Sequence, residues 1–416
     1  MRQCFLGIAL LATTITPAQA KPVETSSARK PGALKCTSAV EADGYLYVAG
    51  QSANRPDGSM PNSFDEQANQ ALQNVKTTVE ESGLTMAHIV YMQVYLEDVN
   101  NYSALSSALK RYFPNVPPAG AVLGVSRLPR PAIEINAVAV RDLSGRKAVI
   151  PANYKLDEPF SPGILTHDRL FVSAMQGRDL QTGKIAEDSA AQTDLALDGL
   201  KAVAEAAGLS MKNYVFVNPY LTTRIPSRIM NERYARRFEF GNTPGRATIE
   251  VTALPHQAQI EYTGVAVRDL SLRRAIRPKN MPPSPTASPC VFAGATLYCS
   301  AKSGFIPGPH GGVYTGTTTA QLRQTMRNQL DNLEEANMDF DEVVSSTIYL
   351  DNLSDSPAFS KVFSEYFQNG LPAQTIVQQL PSADRAPNAE EEYPDLEQVS
   401  LIAVKNFKMT APKACQ

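Results

Sequence analysis

The sequence predicts an α+β fold of three tandem units, each a sheet carrying two helices, packed together as a pseudo-threefold ring. Three observations predict it. First, an apolar strand signature, Ile135-Asn-Ala-Val-Ala-Val-Arg-Asp-Leu-Ser144, returns as Tyr262-Thr-Gly-Val-Ala-Val-Arg-Asp-Leu-Ser271 and, more loosely, as Val399-Ser-Leu-Ile-Ala-Val-Lys-Asn-Phe407. Second, the anchors Arg141, Arg268 and Lys405 stand 127 and 137 positions apart, too far for a solenoid repeat and right for a small domain. Third, the strands are apolar on both faces, as in Ala137 to Val140, so each sheet must be covered on the side its helices leave open. A sister unit is the simplest cover.

The elements follow in order. A strand Gly44-Tyr-Leu-Tyr-Val-Ala-Gly50 opens unit 1 and is matched by Asp168-Arg-Leu-Phe-Val-Ser-Ala174 and Ala295-Thr-Leu-Tyr-Cys-Ser-Ala301. Ser63 followed by Asp65 and Glu66 starts a helix, Ala68, Leu72, Val75 and Val79 form its apolar stripe, and Gly83 stops it. Ile, Val and Tyr over 89–96 read as a buried strand. Asn100 or Asn101 caps a second helix with Leu105, Leu109, Tyr112 and Phe113 on its inner face. Strands over 121–126 and 132–140 close the unit. Unit 2 repeats the order with a helix over 190–207, a strand over 214–221 and a helix over 227–238; unit 3 does so at 319–336, 342–350 and 357–367. The units are placed at 31–147, 148–275 and 290–411, with a proline-rich linker over 276–289.

Composition narrows the function. Asp plus Glu number 41 and Lys plus Arg 39, so the charge is near neutral, unlike the basic excess of a nucleic-acid binder. No apolar run is long enough to span a membrane. His88, His167, His256 and His310 have no metal-ligand spacing, so no metal is expected. Residues 1–20 read as a cleavable secretory signal: Arg2, an apolar stretch over 5–12, and Ala18-Gln19-Ala20 as the cleavage site. A periplasmic or secreted protein is expected, and such a compartment permits disulfides. In the hairpin of unit 3, a two-residue turn at Gly294-Ala295 pairs Cys290 with Cys299 as a close, non-hydrogen-bonded pair; they are two buried thiols or a disulfide, and export favours the disulfide. Cys36 and Cys415, near opposite ends of the mature chain, form a second candidate pair that would clamp a closed ring.

Gly44-Tyr-Leu-Tyr-Val-Ala-Gly-Gln51, Asn74-Val75-Lys76, Glu81-Ser-Gly-Leu84, and Leu128-Pro129 before Ile133-Glu134-Ile135 together resemble the RidA/YjgF family, also labelled endoribonuclease L-PSP. The resemblance spans nearly all of the mature chain in three copies. It implies chorismate-mutase-like domains whose sheets pack into a central barrel, here a trimer fused into one chain, monomeric and without cofactor. It also implies hydrolysis of reactive enamines and imines to carbonyl compounds and ammonia, in clefts between neighbouring units. The family places an arginine in a Pro-Ala-Arg-x-x-Val-x-Val strand, a tyrosine on the first strand, an asparagine on the second helix and a glutamate on the last strand. The arginine suits the chemistry, because its planar fork holds a carboxylate beside the imine carbon.

Carried over residue by residue, unit 2 keeps Arg246 in Pro244-Gly-Arg-Ala-Thr-Ile-Glu-Val251 and Asn231 at the asparagine position. Phe160 falls on the tyrosine position and Thr263 on the glutamate position; Glu250 and Glu261 are nearby carboxylates, read as rim groups or as a replacement for the glutamate. Unit 1 has Gly120, Asn136, Cys36 and Ser106 at the four positions; unit 3 has Gln374, Ser400 and Ser360 in place of arginine, glutamate and asparagine. One cleft in three therefore bears an arginine. The sequence points to a hydrolase of carboxylate-bearing imines or enamines, with Arg246 and Asn231 catalytic and Arg246, Phe160, Thr263 and Glu250 binding substrate. The alternative is a non-catalytic scaffold that holds a small carboxylate or a protein partner. The ribonuclease label is disfavoured, because backbone phosphates need basic contacts. The acidic Glu390-Glu-Glu392 lies in an insertion over 383–395 that unit 3 alone carries and reads as a solvated loop.

Overall fold

The computed structural model describes residues 37–409 apart from 280, 309, 310 and 383. Residues 1–20, read above as a secretory signal, and Cys36, Cys415 and His310 lie outside the described residues.

Unit 1 contains β1 (Ala39–Ala42), β2 (Tyr45–Ser52), α1 (Phe64–Glu81), β3 (Ile89–Leu96), α2 (Tyr102–Tyr112), β4 (Ala119–Gly124) and β5 (Ile133–Val140). Unit 2 contains β6 (Lys147–Val149), β7 (Gly163–Leu165), β8 (Arg169–Gln176), α3 (Ser189–Ala206), β9 (Tyr214–Leu221), α4 (Ser227–Ala235), β10 (Ile249–Glu250) and β11 (Ile260–Val267). Unit 3 contains β12 (Arg273–Ile276), β13 (Cys290–Ala293), β14 (Thr296–Ser303), a small hairpin β15 (Ile306–Gly308) and β16 (Gly311–Val313), α5 (Thr318–Glu335), β17 (Val343–Leu350), α6 (Ser356–Ser364), β18 (Ala373–Gln378) and β19 (Glu397–Val404). The sheets run β1-β2-β5-β3-β4, β10-β9-β11-β8-β7-β6 and β12-β13-β14-β19-β17-β18, one five-strand order used three times, with the extra edge strands β6 and β12 in units 2 and 3. β12, which follows directly on unit 2 along the chain, pairs with β13 and so joins the sheet of unit 3.

The same local chemistry starts and stops the long helices. Ser63, Asp188 and Thr317 cap α1, α3 and α5 by accepting the N–H of Glu66, Ala191 and Ala320. The chain then turns through positive φ at Gly83, Gly208 and Asn337, the last being a residue type that tolerates this region. Each helix pair covers its own sheet. In unit 1, Leu72, Val75 and Val79 pack with Ile89, Met92, Val94 and Ile135, all fully or nearly fully buried. Burial of this kind stabilises by about 1.5–3 kcal/mol per large side chain.

The opposite sheet faces meet one another. Tyr95, Leu123, Tyr220, Ile249, Tyr349 and Val377 form one apolar cluster drawn from all three units. Among the described residues, bridge pairing between units is limited to Gly124↔Ala253 and Arg127↔Gln378, joined by single backbone hydrogen bonds such as Ser161 N–H to the Pro118 carbonyl and Ala301 N–H to the Arg246 carbonyl. Among the described residues the strands thus form three large open sheets, beside the small β15–β16 hairpin, and no closed barrel, which corrects the central barrel expected above. The units meet through side chains on sheet faces, whereas a closed barrel needs continuous edge-to-edge hydrogen bonds.

A buried arginine ties all three units together. Arg169 is fully buried and donates to Asp168 (2.7 Å), to Asp43 of unit 1 (3.1 Å), and to Thr296 and Tyr298 of unit 3 (3.2 and 3.1 Å). Its guanidinium also lies 4.2 Å from the centre of the Tyr45 ring of unit 1. Five donors in a rigid fork find a partner from every side.

Candidate active-site clefts between the units

Arg246 sits where unit 2 meets unit 3. The corresponding segments of units 1 and 3 are six-residue strands, but here the ladder is broken and β10 has two residues. Side chains take the backbone donors instead. Ser300 Oγ of unit 3 accepts the Arg246 N–H at 2.8 Å, and Asn218 Oδ1 accepts the Ala247 N–H at 2.8 Å. The Arg246 carbonyl accepts the Ala301 N–H of unit 3. The half-buried Arg246 side chain donates from Nη1 to Asn231 Oδ1 at 2.8 Å and lies 5.3 Å from the centre of the Tyr234 ring. Burial lowers its pKa, and the Tyr234 and Tyr262 hydroxyls oppose that shift. Among the described residues no carboxylate pairs with it. The result is a desolvated cation with hydrogen-bonding capacity left over.

The structure brings Arg246 and Asn231 into contact, and no contact joins them to the other residues assigned to their cleft among the described residues. Phe160 lies between units 1 and 2, against Gly120. Thr263 is buried and lines a central cavity of about 110 Å³ with Asn218 and buried tyrosines of all three units, among them Tyr95, Tyr220 and Tyr349. Glu250 is exposed, and its carbonyl accepts the Leu380 N–H of unit 3. The physical reason is geometric. Each cleft is built from the arginine-position segment of one unit and the first hairpin of the next. Residues of one unit therefore go to two different clefts.

The cleft between units 1 and 2 is differently furnished. Ser173 Oγ accepts the Gly120 N–H at 2.8 Å, repeating the role of Ser300. Behind it a cavity of about 30 Å³ is lined by Gly120, Phe160, Tyr102, Tyr154, Gln176 and Glu261. Gln176 Nε2 donates to Glu261 Oε2 at 3.0 Å, while Glu261 Oε1 and Gln176 Oε1 are buried without a partner. Burial pushes the Glu261 carboxyl up to about 8; Gln176 and Arg178 oppose the shift, and Glu158 adds to it. At the rim Glu158 accepts from Arg178 (2.5 Å) and Tyr102, and His256 Nε2 lies 3.1 Å from it. Burial alone would raise the Glu158 carboxyl, but His256, Arg178 and Tyr102 together hold it at about 2. Tyr102, Pro255 and His256 also line an open groove of about 980 Å³ on the outer side.

In the third cleft, between units 3 and 1, Gln374 lies on β18 at the arginine position. Glu134 of unit 1 packs there against Gly50 and accepts the Ile376 N–H of unit 3. Burial pushes its carboxyl up to about 7, opposed by Arg130 and that N–H. Glu134, Glu261 and Gln398 occupy matching register positions opposite Ser52, Gln176 and Ser303. The buried acids were thus legible in Ile133-Glu134-Ile135 and Ile260-Glu261-Tyr262, two residues before the positions first assigned to the glutamate. Arg178, Glu158 and His256 carry no such signal, since only the tertiary fold joins them. Among the described residues no cluster of His, Cys, Asp and Glu could hold a metal ion, and no helix is long and apolar enough to cross a membrane.

Cys290 and Cys299 are register partners in the β13–β14 hairpin and are joined by a disulfide. The insertion of unit 3 is tied to its own unit through Arg385, which pairs with Asp355 (2.7 Å) and Asp351 (3.2 Å).

Comparison with known proteins gives the same threefold division. The family model described as Endoribonuclease L-PSP matches residues 29–141, 152–268 and 280–384. Protein MMF1, mitochondrial, of Saccharomyces cerevisiae is 32% identical over 130 residues, covering 31% of this chain and 86% of that protein. A 2-iminobutanoate/2-iminopropanoate deaminase of Capra hircus is 33% identical over 120 residues, covering 28% of this chain and 88% of the relative. The crystal structure of yeast Mmf1 is 32% identical with a TM-score of 0.28, covering 30% of this chain and 100% of its own. Each of these relatives matches about one unit. With three successive family matches covering most of its length, the chain belongs to the endoribonuclease L-PSP family, the RidA/YjgF proteins, in three tandem copies.

Proposed function

We propose that this chain hydrolyses small carboxylate-bearing imines and enamines in the cleft between its second and third units. The observation that carries the reading is the Arg246 guanidinium, desolvated, oriented by Asn231 and facing no described carboxylate. Such a fork suits bidentate capture of a ligand carboxylate. With the carboxylate held, water adds to the adjacent imine carbon, the C–N bond breaks, nitrogen leaves as ammonia and a carbonyl remains. The relatives named 2-iminobutanoate/2-iminopropanoate deaminase support this reaction class. The reading invokes no cofactor.

Two further elements belong to the proposal. The ring is complete within one chain, so the protein is a monomeric pseudo-trimer; the three-unit apolar cluster and the Arg169 network support this. The protein acts outside the cytoplasm after removal of residues 1–20, as their composition supports.

A second reading, carboxylate binding without turnover, is favoured by one observation: the buried acids Glu261 and Glu134 lie in the other two clefts. Ammonia release from imino acids generated in situ separates the readings. Hydrolysis predicts acceleration over background that is lost in Arg246→Ala and reduced roughly tenfold in Asn231→Ala. No acceleration, with Arg246-dependent binding of a 2-oxo acid, selects the scaffold.

A further inference from the structure

We propose that the cleft between units 1 and 2 is a second binding site, specific for a small primary ammonium group. The site is a pocket of aromatic rings around orphaned acceptors. Phe160, Tyr102 and Tyr154 line the cavity, and ring faces attract cations. Among the described residues Glu261 Oε1 and Gln176 Oε1 have no hydrogen-bond partner, although Glu261 is fully buried and Gln176 is 6% exposed. A buried acceptor left unmatched gives up the hydrogen bonds it made to water, so two in one cavity call for a ligand that donates. The volume of about 30 Å³ admits a group the size of one or two waters. An alkylammonium head meets all three conditions: it is small, it carries several N–H donors, and it is cationic.

The charges agree. Among the described residues Arg178 is the one cation lining the cavity, and Glu158 matches it at 2.5 Å. Ionised Glu261 would then supply the charge opposite the ammonium. The titratable and charged groups facing the site are Glu261, Glu158, Arg178, His256, Tyr102 and Tyr154. The adjoining groove, which shares Tyr102 and Pro255 with the cavity, has room for the rest of a larger amine. The site differs in kind from the Arg246 cleft. Gly120 stands at the arginine position, and Phe160 occupies the space a side chain there would need. A ligand carboxylate has no free cation here.

The test is direct titration of the intact protein with methylammonium and ethylammonium, followed by calorimetry in buffers of different ionisation heat. Binding is expected to release a proton below about pH 8, because Glu261 must ionise, and to weaken roughly tenfold or more between about pH 8 and about pH 6. Glu261→Gln is expected to weaken it about 10- to 100-fold. Gln176→Met, which keeps the volume and removes the second acceptor, serves as an independent variant and is expected to weaken it as well. Acetate is expected not to compete. Absence of ammonium binding by the folded wild-type protein, with a single water left to satisfy both acceptors, overturns the proposal. So does binding that neither variant changes. The readout is binding alone and stands apart from turnover at Arg246.

Discussion

Gly120 lies beneath the ring of Phe160, the two residues coming from adjacent units: a Cβ on Gly120 would stand 2.5 Å from Phe160 Cε1 and 2.8 Å from the Met92 carbonyl oxygen. The arginine position of this cleft has thus been filled by a neighbour's aromatic ring. Gly120→Ala is expected to destabilise by about 1–3 kcal/mol, as overpacking does. Part of the clash is with the Met92 backbone, so Phe160→Ala should relieve the penalty only in part. A double-mutant cycle by urea unfolding measures this coupling, and strict additivity would contradict the contact.

Arg169 has four polar partners and is fully buried. Arg169→Met would leave Asp168 and Asp43 without their cation. Loss of one partner of a buried ion pair costs about 3–5 kcal/mol, so thermal unfolding should shift strongly downward. The position also explains why fusion matters. Its counterparts by register are Tyr45 and Thr296, which meet it in one network. Three arginines at one junction, as a trimer of identical units would require, would repel one another.

Stability should rise as pH falls from about 8 toward about 5. Glu261 and Glu134 are held near 8 and 7 in the folded chain, above the ordinary 4.5. Between those values the folded state binds protons that the unfolded state has lost. Raising the pH through this window therefore destabilises the fold, by up to about 1.4 kcal/mol per pH unit for each group. Above the folded pKa the loss is complete and constant. Glu158 acts in the opposite sense: its carboxyl is held at about 2, so its contribution is present above 4.5 and lost as pH falls toward 2. Urea midpoints across this range provide the check, and Glu261→Gln with Glu134→Gln should reduce the slope above about pH 5, the remainder coming from the raised Asp395 and Glu397.

Reduction of Cys290–Cys299 opens a hairpin of sequence separation 9. A crosslink over so short a loop contributes about 2–3 kcal/mol in the chain-entropy treatment. The expected outcome is a lower melting temperature with reductant and the same shift in Cys290→Ser with Cys299→Ser. Free thiols at both Cys290 and Cys299 under denaturant, without reductant, would contradict the bond.

The repeated order of elements was legible because its causes are local. Helix caps at Ser63, Asp188 and Thr317, stops at Gly83, Gly208 and Asn337, and the apolar period along α1 act over a few residues. The Arg246 segment departs from its sister strands for a reason local pattern does not contain. Its backbone donors are claimed by Asn218 across the sheet and by Ser300 of another unit.

The sequence by itself determined three family units in tandem and the residue that stands at each arginine position, since both follow from order along the chain. Only the tertiary structure decided which groups share a cleft. Arg246 meets Ser300 and Ala301 of unit 3, while Glu261 and Phe160 of its own unit turn toward Gly120 of unit 1. The physical reason is that every cleft joins one unit's edge segment to the next unit's hairpin, so its composition depends on how folded surfaces meet.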